Sequence, residues 1–390
     1  MIQALIDLLG PDAVRTSCEP WTDISGDALG TPFCVVSPQG SEQVAAMVSM
    51  ARSHGRSLVP IGARTAYWTP LRVEGAVALD IQNLRGCELR DDVVTVGAGE
   101  PVRPLDTFLR SQGFALPVHP DAFGETSVGA MVASGLTSGI GMARGGIDRW
   151  VTGLTVVTGT GEILKTGTSQ GFEKTGPFLR EGLPDPTGLF MGSEGTLGII
   201  SEVSLRVRPL PWIVSVQGRH LDPKVLLDSG RALCRLGLCD TFRAVREVEP
   251  GDGSSDLNVG WNLYVSVDSL LSLEEARSRA ERVAAMLERA GVQGLALQEE
   301  STDARMGLEA ASNPRWQGPI GFHAQFRKRD HLVGLDVNAS YEAMPALLEI
   351  ADGQAREAMA LSPTMVRTAL YLAPGFVNLG MHTSVPRRIP

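Results

Sequence analysis

Three glycine-rich segments constrain this chain more than any other feature. They are Pro60–Tyr67 (PIGARTAY), Thr126–Gly146 (TSVGAMVASGLTSGIGMARGG) and Gly192–Ile199 (GSEGTLGI). Each adjoins a stretch patterned as a strand. Phe33–Ser37 (FCVVS) reads as a strand. From Ser41, a plausible N-cap, Val44, Met47, Val48 and Ala51 mark one helical face that ends near Gly55, and Ser57–Ile61 (SLVPI) reads as the next strand. This β-α-β unit runs directly into the first glycine-rich segment. Glycine lets a chain turn so that several backbone N–H groups point at one place, which is what a pyrophosphate needs. One such loop is only a tight turn. Three on one framework predict an extended ligand, longer than a mononucleotide. The low bulk of the region from Pro117 to Gly146 likewise predicts backbone lying close to something other than side chains.

Several alternatives are excluded. Gly97-Ala98-Gly99 lacks the third glycine of the dinucleotide fingerprint, no helix opens there, and no GxxxxGK[ST] occurs. The formal net charge of −9 and the lack of basic runs argue against nucleic acid, whose binding needs Lys and Arg to displace counterions. No apolar stretch is long enough to span a bilayer, and the first residues (MIQALIDLLGPDAVRT) read as a short amphipathic helix without a basic leader. A cytoplasmic chain is expected. The five cysteines are odd in number and spread out with no CxxC, so reduced thiols and no metal are expected.

Pro209 and Pro211 mark a boundary between an expected first domain, residues 1–211, and a second, 212–390. Beyond it amphipathic helices appear. The clearest is Leu273–Ala290, with Ser272 and Glu275 in a capping-box pattern and Gly291 closing it; another is expected from about Tyr341 to Met359.

The order of these features resembles the superfamily of FAD-linked oxidases related to vanillyl-alcohol oxidase, with a PCMH-type FAD-binding domain, near glycolate oxidase and D-lactate dehydrogenase flavin subunits. Trp21-Thr22-Asp23-Ile24-Ser25 resembles its aromatic-x-x-Asp-x-Ser opening, Pro38–Gly62 the lead into its pyrophosphate loop, and Thr126–Ala130 the loop along the pyrophosphate and flavin. Gly192–Ile199 is near-identical to its GSEGTLG[IV] segment, and the resemblance extends over Trp21–Pro211. It implies an α+β fold: an FAD-binding domain of two subdomains, plus an α+β cap with an antiparallel sheet. It also implies that FAD is held by Pro60, Ile61, Gly62, Ala63, Arg64 and Thr65 in the first loop. Pro117, Thr126, Ser127, Gly129, Ala130, Ser134, Gly135, Ser138 and Gly139 would serve in the second, with Val151, then Glu194, Gly195, Gly198 and Ile199 in the third. The position through which some relatives attach FAD by His is Thr65, so non-covalent FAD is expected.

The sequence departs from one branch and approaches another. Hydroxy-acid relatives carry Arg-Gly-x-Gly-Thr where this chain has Ile61 and Arg64 in place of the Arg and second Gly. Phenol-oxidising relatives place an aromatic residue where Tyr67 stands and have a cap segment similar to Trp261–Tyr264. The substrate expected is therefore a small 2-hydroxy acid or a 4-substituted phenol, giving up a hydride to flavin N5. Candidate reacting residues are Tyr67, Asp148 and His382, the last in Gly375–His382, which resembles a Gly-His-x-Gly-Asp-Gly-Asn-x-His motif that ligates metal in some members. Here Phe376 replaces the first His, and one imidazole is not a metal site. His119 reads as a loop residue, and Arg327, Lys328 and Arg329 as a solvated basic cluster. The chain ends where relatives continue into a segment that returns to the flavin domain. This leaves a second reading, a non-catalytic FAD-binding subunit of a multi-chain oxidase. A small-molecule substrate and either a partner subunit or an electron acceptor are the expected partners, and a homodimer is compatible with the sequence.

Overall fold

A computed structural model describes residues 1–22, 28–64, 72–120, 126–137, 139, 141–170, 179–180, 184–248, 257, 259–300, 330–361 and 366–386. The chain forms two compact units. Unit 1 comprises Met1–Phe108, Ala122–Leu136 and Ile147–Arg208, and unit 2 comprises Leu109–Asp121, Thr137–Gly146 and Pro209–Pro390.

Unit 1 contains two larger sheets and a two-stranded pair, Trp21–Thr22 with Ala28–Gly30. In the first, β1 (Val14–Arg15), β2 (Cys34–Val36), β3 (Leu58–Ile61) and β4 (Val77–Asp80) are ordered β1-β2-β4-β3. Strands β2 and β3 both pair with β4 in parallel. A parallel pair needs a crossover, and helix α1 (Ser41–Ser53) supplies it, burying Val44, Met47, Val48 and Ala51 as its periodicity requires. The N-cap is Gly40, one residue earlier than expected. Ser41 opens the helix, and its hydroxyl instead shares a hydrogen bond with the Ser201 hydroxyl at 2.9 Å.

The second sheet of unit 1 is antiparallel. Its strands are β5 (Cys87–Arg90), β6 (Val93–Gly97), β7 (Val151–Val157), β8 (Ile163–Lys165) and β9 (Ile199–Arg206), ordered β8-β7-β9-β6-β5. Every residue of β7 is buried, which explains why its run of sequence is continuously apolar or small rather than alternating.

Unit 2 is built on one antiparallel sheet. Strands β10 (Trp212–His220), β11 (Thr241–Val248), β12 (Trp261–Ser269), β13 (Gln293–Glu299), β14 (Asp330–Ala339), β15 (Val366–Leu372) and β16 (Val377–Pro386) are ordered β13-β10-β12-β11-β15-β16-β14. One face carries Val214, Val216, Phe242, Ala244, Leu263, Val265, Leu370, Leu372 and Leu379. It forms a single core with residues of helices α2 (Pro223–Arg235), α3 (Leu273–Arg289) and α4 (Met344–Leu361). Ser272 caps α3 through the Glu275 N–H at 3.1 Å, as its spacing predicts. Helix α4 begins at Met344 rather than Tyr341, because residues 341–343 form a turn in which the Ser340 hydroxyl accepts from the Ala343 N–H. The Tyr341 hydroxyl donates to the carbonyl of Ala373.

Candidate functional site

The three glycine-rich segments converge inside unit 1, each touching the other two. Gly62, following β3, lies so close to the second segment that a Cβ there would sit 3.2 Å from Ser127 Oγ and 3.4 Å from Ala130 Cβ. Gly195 of the third segment has φ +79, and a Cβ would come within 2.7 Å of Pro60 Cγ. Gly135, with φ +60, approaches Gly192 to 3.0 Å by the same measure. Two backbone hydrogen bonds seal the last pair: Gly192 N–H to the Val132 carbonyl (3.2 Å) and Glu194 N–H to the Ala133 carbonyl (2.9 Å). Side chains at these positions would hold the three loops apart.

The convergence leaves a groove enclosing about 150 Å³. Pro60, Ile61, Gly62, Ala63, Arg64, Gly129, Ala130, Ser134, Glu194, Gly195, Gly198 and Ile199 line it, with Leu29, Ile81, Ala133 and Ile200. Two non-glycine residues of its wall hold left-handed backbone, Arg64 (φ 56) and Glu194 (φ 51). Arg64 stands where hydroxy-acid relatives carry glycine, and it keeps a glycine-like conformation while its guanidinium lies 4.6 Å over the Trp21 ring. The second segment turns into its short helix, Val128–Ala133, with the Ser127 hydroxyl accepting from the Ala130 N–H. The residues present fit part of an elongated FAD: glycine at four positions of the wall, small side chains beside them and an apolar lining.

The other expected site residues fall elsewhere. Thr126 and Ser127 are buried beside the groove, Gly135 packs behind it on Gly192, and Val151 is buried at the start of β7. Pro117 and Gly139 belong to unit 2. There Gly139 backs onto the carbonyl of His119, and Gly141 backs onto that of Pro117, so tightly that no Cβ fits. Asp148 is exposed on a one-turn 3₁₀ segment of unit 1, and its carbonyl accepts from Arg180 at 2.8 Å. Arg180 is held in turn by Asp185, whose pKa is lowered: burial opposes ionisation, but hydrogen bonds from Thr187 and Arg180 outweigh it. Thr65, Tyr67, Ser138 and Arg327–Arg329, with Asp23–Ser25, lie outside the described residues.

Unit 2 holds a second candidate region, on the sheet face opposite the helices. Residues directly paired across antiparallel strands share a face. The register aligns Gln217, Tyr264, Arg243, Tyr371, Asn378 and Asn338 in one row across β10, β12, β11, β15, β16 and β14. The Arg243 guanidinium lies 4.6 Å over the Tyr264 ring, Asn378 donates to Asn338, and Arg243, Tyr371 and Asn378 are buried. A parallel row pairs Glu247, Arg367 and His382, with Arg367 3.4 Å from Glu247 and His382 3.7 Å from Asp336. A buried face bearing two arginines is unusual for a sheet and suits an anionic group. Among the described residues no group of three or more His, Cys, Asp or Glu could hold a metal ion.

The same face also receives part of the second glycine-rich segment. The Gly141 N–H donates to Thr241 Oγ1 (2.9 Å), the Ala143 N–H to the Asp240 carbonyl (3.2 Å), and Arg144 bridges the carboxylates of Asp240 and Asp268. Burial alone would lower the Arg144 pKa, but the two carboxylates outweigh it and hold the guanidinium charged. Thr241 and Arg243 are two residues apart on β11, about 7 Å along one face. No motif in the sequence points to Arg243, Arg367, Tyr371 or Asn378. Their only sequence signal is arginine placed inside otherwise apolar strand runs, as in TFRAVREV and VRTALYL.

Comparisons with known proteins agree with this geometry. Residues 32–167 match a family model described as an FAD binding domain. Over 185 residues the chain is 34% identical to a D-2-hydroxyglutarate dehydrogenase of Xanthomonas citri pv. viticola, covering 46% of this chain and 38% of that protein. Over 175 residues it is 30% identical to glycolate oxidase subunit GlcE of Escherichia coli, covering 44% and 48%. The chain thus matches less than half the length of these relatives. In three dimensions it is similar to substrate-bound p-cresol methylhydroxylase, with a TM-score of 0.76 at 15% identity over 98% of this chain and 82% of that one. Among the described residues no helix is long and apolar enough to cross a membrane.

Proposed function

We propose that this chain, whose residues 32–167 match an FAD binding domain, is an FAD-dependent oxidoreductase oxidising a small 2-hydroxy acid. The observation that carries the reading is the mutual contact of the three glycine-rich segments around one groove. Backbone of Pro60–Arg64 and Gly195–Ile199 would hold the dinucleotide. FAD is proposed to bind non-covalently, since Thr65 stands where some relatives attach FAD through His. When bound, FAD supplies the acceptor of the hydride at N5.

The acid is favoured over a phenol by the buried arginines of the unit 2 sheet. Arg243, stacked on Tyr264 and two residues along the strand from Thr241, would take the substrate carboxylate; a guanidinium matches a carboxylate in shape and charge. His382, beside Asp336 on the same face, is the proposed base for the substrate hydroxyl. Tyr67 and Asp148 remain proposed reacting residues from the likeness to phenol-oxidising enzymes. A second reading, a non-catalytic FAD-binding subunit of a multi-chain oxidase, is favoured by the similarity to subunit GlcE.

The purified protein should show flavin absorption bands. Anaerobic addition of D-lactate, glycolate or D-2-hydroxyglutarate should bleach them, and 4-methylphenol should not. Bleaching by the phenol alone would reverse the substrate assignment. A flavin that no acid or phenol reduces would favour the subunit reading. A colourless protein that does not take up added FAD would end both.

A further inference from the structure

On the FAD reading, the unit 1 groove holds a ligand with an anionic pyrophosphate, yet its wall carries little charge. Among the described residues that line it, Arg64 and Glu194 are the charged ones. Gly62, Gly129, Gly195 and Gly198 admit a ligand and let backbone N–H groups point at it, but they bring no countercharge. The Glu194 carboxylate repels a phosphate wherever the two lie within the screening length of the solvent, about 8 Å at physiological salt. Of these lining residues, the cation available to balance the pyrophosphate is Arg64.

Two features of Arg64 suit it to that part. Its backbone is left-handed, φ 56, where a residue with a Cβ is strained and glycine is not. Hydroxy-acid relatives carry glycine at this position, so the arginine side chain stands where the backbone itself favours none; strained residues of this kind cluster at ligand sites. Second, its guanidinium lies 4.6 Å over the Trp21 ring. Trp21 pairs with Gly30 and packs on a buried cluster that includes Leu29 and Ile61. Leu29 and Ile61 also line the groove, so the platform under the guanidinium rests on the groove's own wall. Stacking covers the flat face of a guanidinium and leaves its in-plane N–H donors, the edge that matches phosphate oxygens.

We infer that the Arg64 side chain, steadied on Trp21, makes the groove selective for a flavin that carries a pyrophosphate over one that lacks it. Trp21 acts through Arg64 and is a positioning residue. The inference rests on the proposed binding of FAD and names the group that discriminates within it. Arg64 is exposed, so solvent screens its charge, and the share expected is the low end for a hydrogen bond to a charged group, about tenfold in affinity.

The test compares Arg64→Gly, Arg64→Asn and Trp21→Leu with the parent, each as the full chain from which flavin has been dialysed. Asparagine tolerates left-handed backbone and removes the charge. Dissociation constants for FAD and for riboflavin, which has no phosphate, are read from flavin fluorescence. In Arg64→Gly and Arg64→Asn, FAD should bind about tenfold more weakly and riboflavin within about twofold of the parent. Trp21→Leu should lose roughly threefold for FAD alone, because the guanidinium keeps its charge but not its platform. Raising sodium chloride from about 50 to about 500 mM should weaken FAD binding to the parent more than to Arg64→Gly. The melting temperature of flavin-free Arg64→Gly should equal or exceed the parent's, since glycine relieves the left-handed strain. Weaker FAD binding in a chain at least as stable separates recognition from damage to the fold. Parent affinity for FAD in Arg64→Gly overturns the inference and leaves FAD binding standing, and so does an equal loss for FAD and riboflavin. Parent affinity in Trp21→Leu overturns the positioning role. If riboflavin does not bind the parent, the salt dependence decides, and equal dependence in parent and variant overturns the inference. A parent that binds no FAD ends the FAD reading and this inference with it. Should Arg64→Gly not fold, Arg64→Asn decides on the same measurements.

Discussion

The groove in unit 1 is made of backbone and small side chains, whereas the polar face in unit 2 is made of some of the largest buried side chains in the protein, Arg243, Arg367 and Tyr371. In the groove, the proposed recognition would depend on what is missing. Cβ atoms at Gly62, Gly135 and Gly195 would push three loops apart. On the sheet, the proposed recognition would depend on what is present, cations kept out of water where a hydrogen-bonded anion is bound more strongly than at the surface. The two halves of such a molecule therefore fail in opposite ways. On the proposed reading, a small group added to the first would remove a ligand, and a group taken from the second would remove selectivity.

The largest effect expected is at Gly195. Gly195→Val combines a left-handed backbone at φ +79 with a collision at Pro60, so the purified variant should contain no FAD by the ratio of its visible to ultraviolet absorbance. Full FAD content in that variant would make the third segment a plain turn and leave the groove's missing Cβ atoms without a role in recognition.

Next comes Arg243. Arg243→Met keeps much of the volume and the stacking on Tyr264 but removes the charge. It should retain FAD and lose about 100-fold in kcat/KM toward 2-hydroxy acids, the scale of a lost charged hydrogen bond. Equal kcat/KM in variant and parent would move the carboxylate site off this row.

A glycine outside the groove separates the two regions further. Gly230 lies on α2 against the sheet core, where a Cβ would meet Leu372 and the Phe242 ring. Gly230→Ala should cost about 1–3 kcal/mol of stability through overpacking, seen as a lower melting temperature, with FAD content per folded molecule unchanged. Loss of FAD from the folded variant would show that glycine content alone does not distinguish the groove from the sheet.

The smallest effect concerns Asp185, whose folded pKa lies below its unfolded value because Thr187 and Arg180 bond the carboxylate, although burial opposes this. Its contribution to stability is complete above the unfolded carboxylate range and is lost as pH falls through the depressed folded value. Asp185→Asn should therefore flatten the acid limb of a stability-versus-pH curve below about pH 4, and leave the neutral range shifted only by a constant. An unchanged acid limb would mean that the Arg180 contact to the Asp148 carbonyl is maintained without Asp185.

Much of unit 1 is legible in the amino-acid sequence. The β-α-β unit, the buried face of α1 and the glycine segments are local: each is written in a contiguous run, by periodicity or by residues that permit particular backbone angles. Local patterning also points to Ser41 as a cap and leaves His382 an isolated imidazole. The folded chain has Gly40 at the cap and His382 beside Asp336, because both outcomes depend on partners distant in the chain, Ser201 and a neighbouring strand.

Which segments bend, which helices and strands form, and which stretches can approach one another without side chains between them all follow from φ, ψ preferences and short-range patterning, and so are properties of the sequence alone. That Gln217, Tyr264, Arg243, Tyr371, Asn378 and Asn338 stand in one row, and that Arg144 reaches both Asp240 and Asp268, is settled only in the assembled fold. Register is the cause. A shift of one residue in any strand pairing would turn its side chains to the other face, and that register is set by the packing of the whole sheet against its helices rather than by any single run of residues.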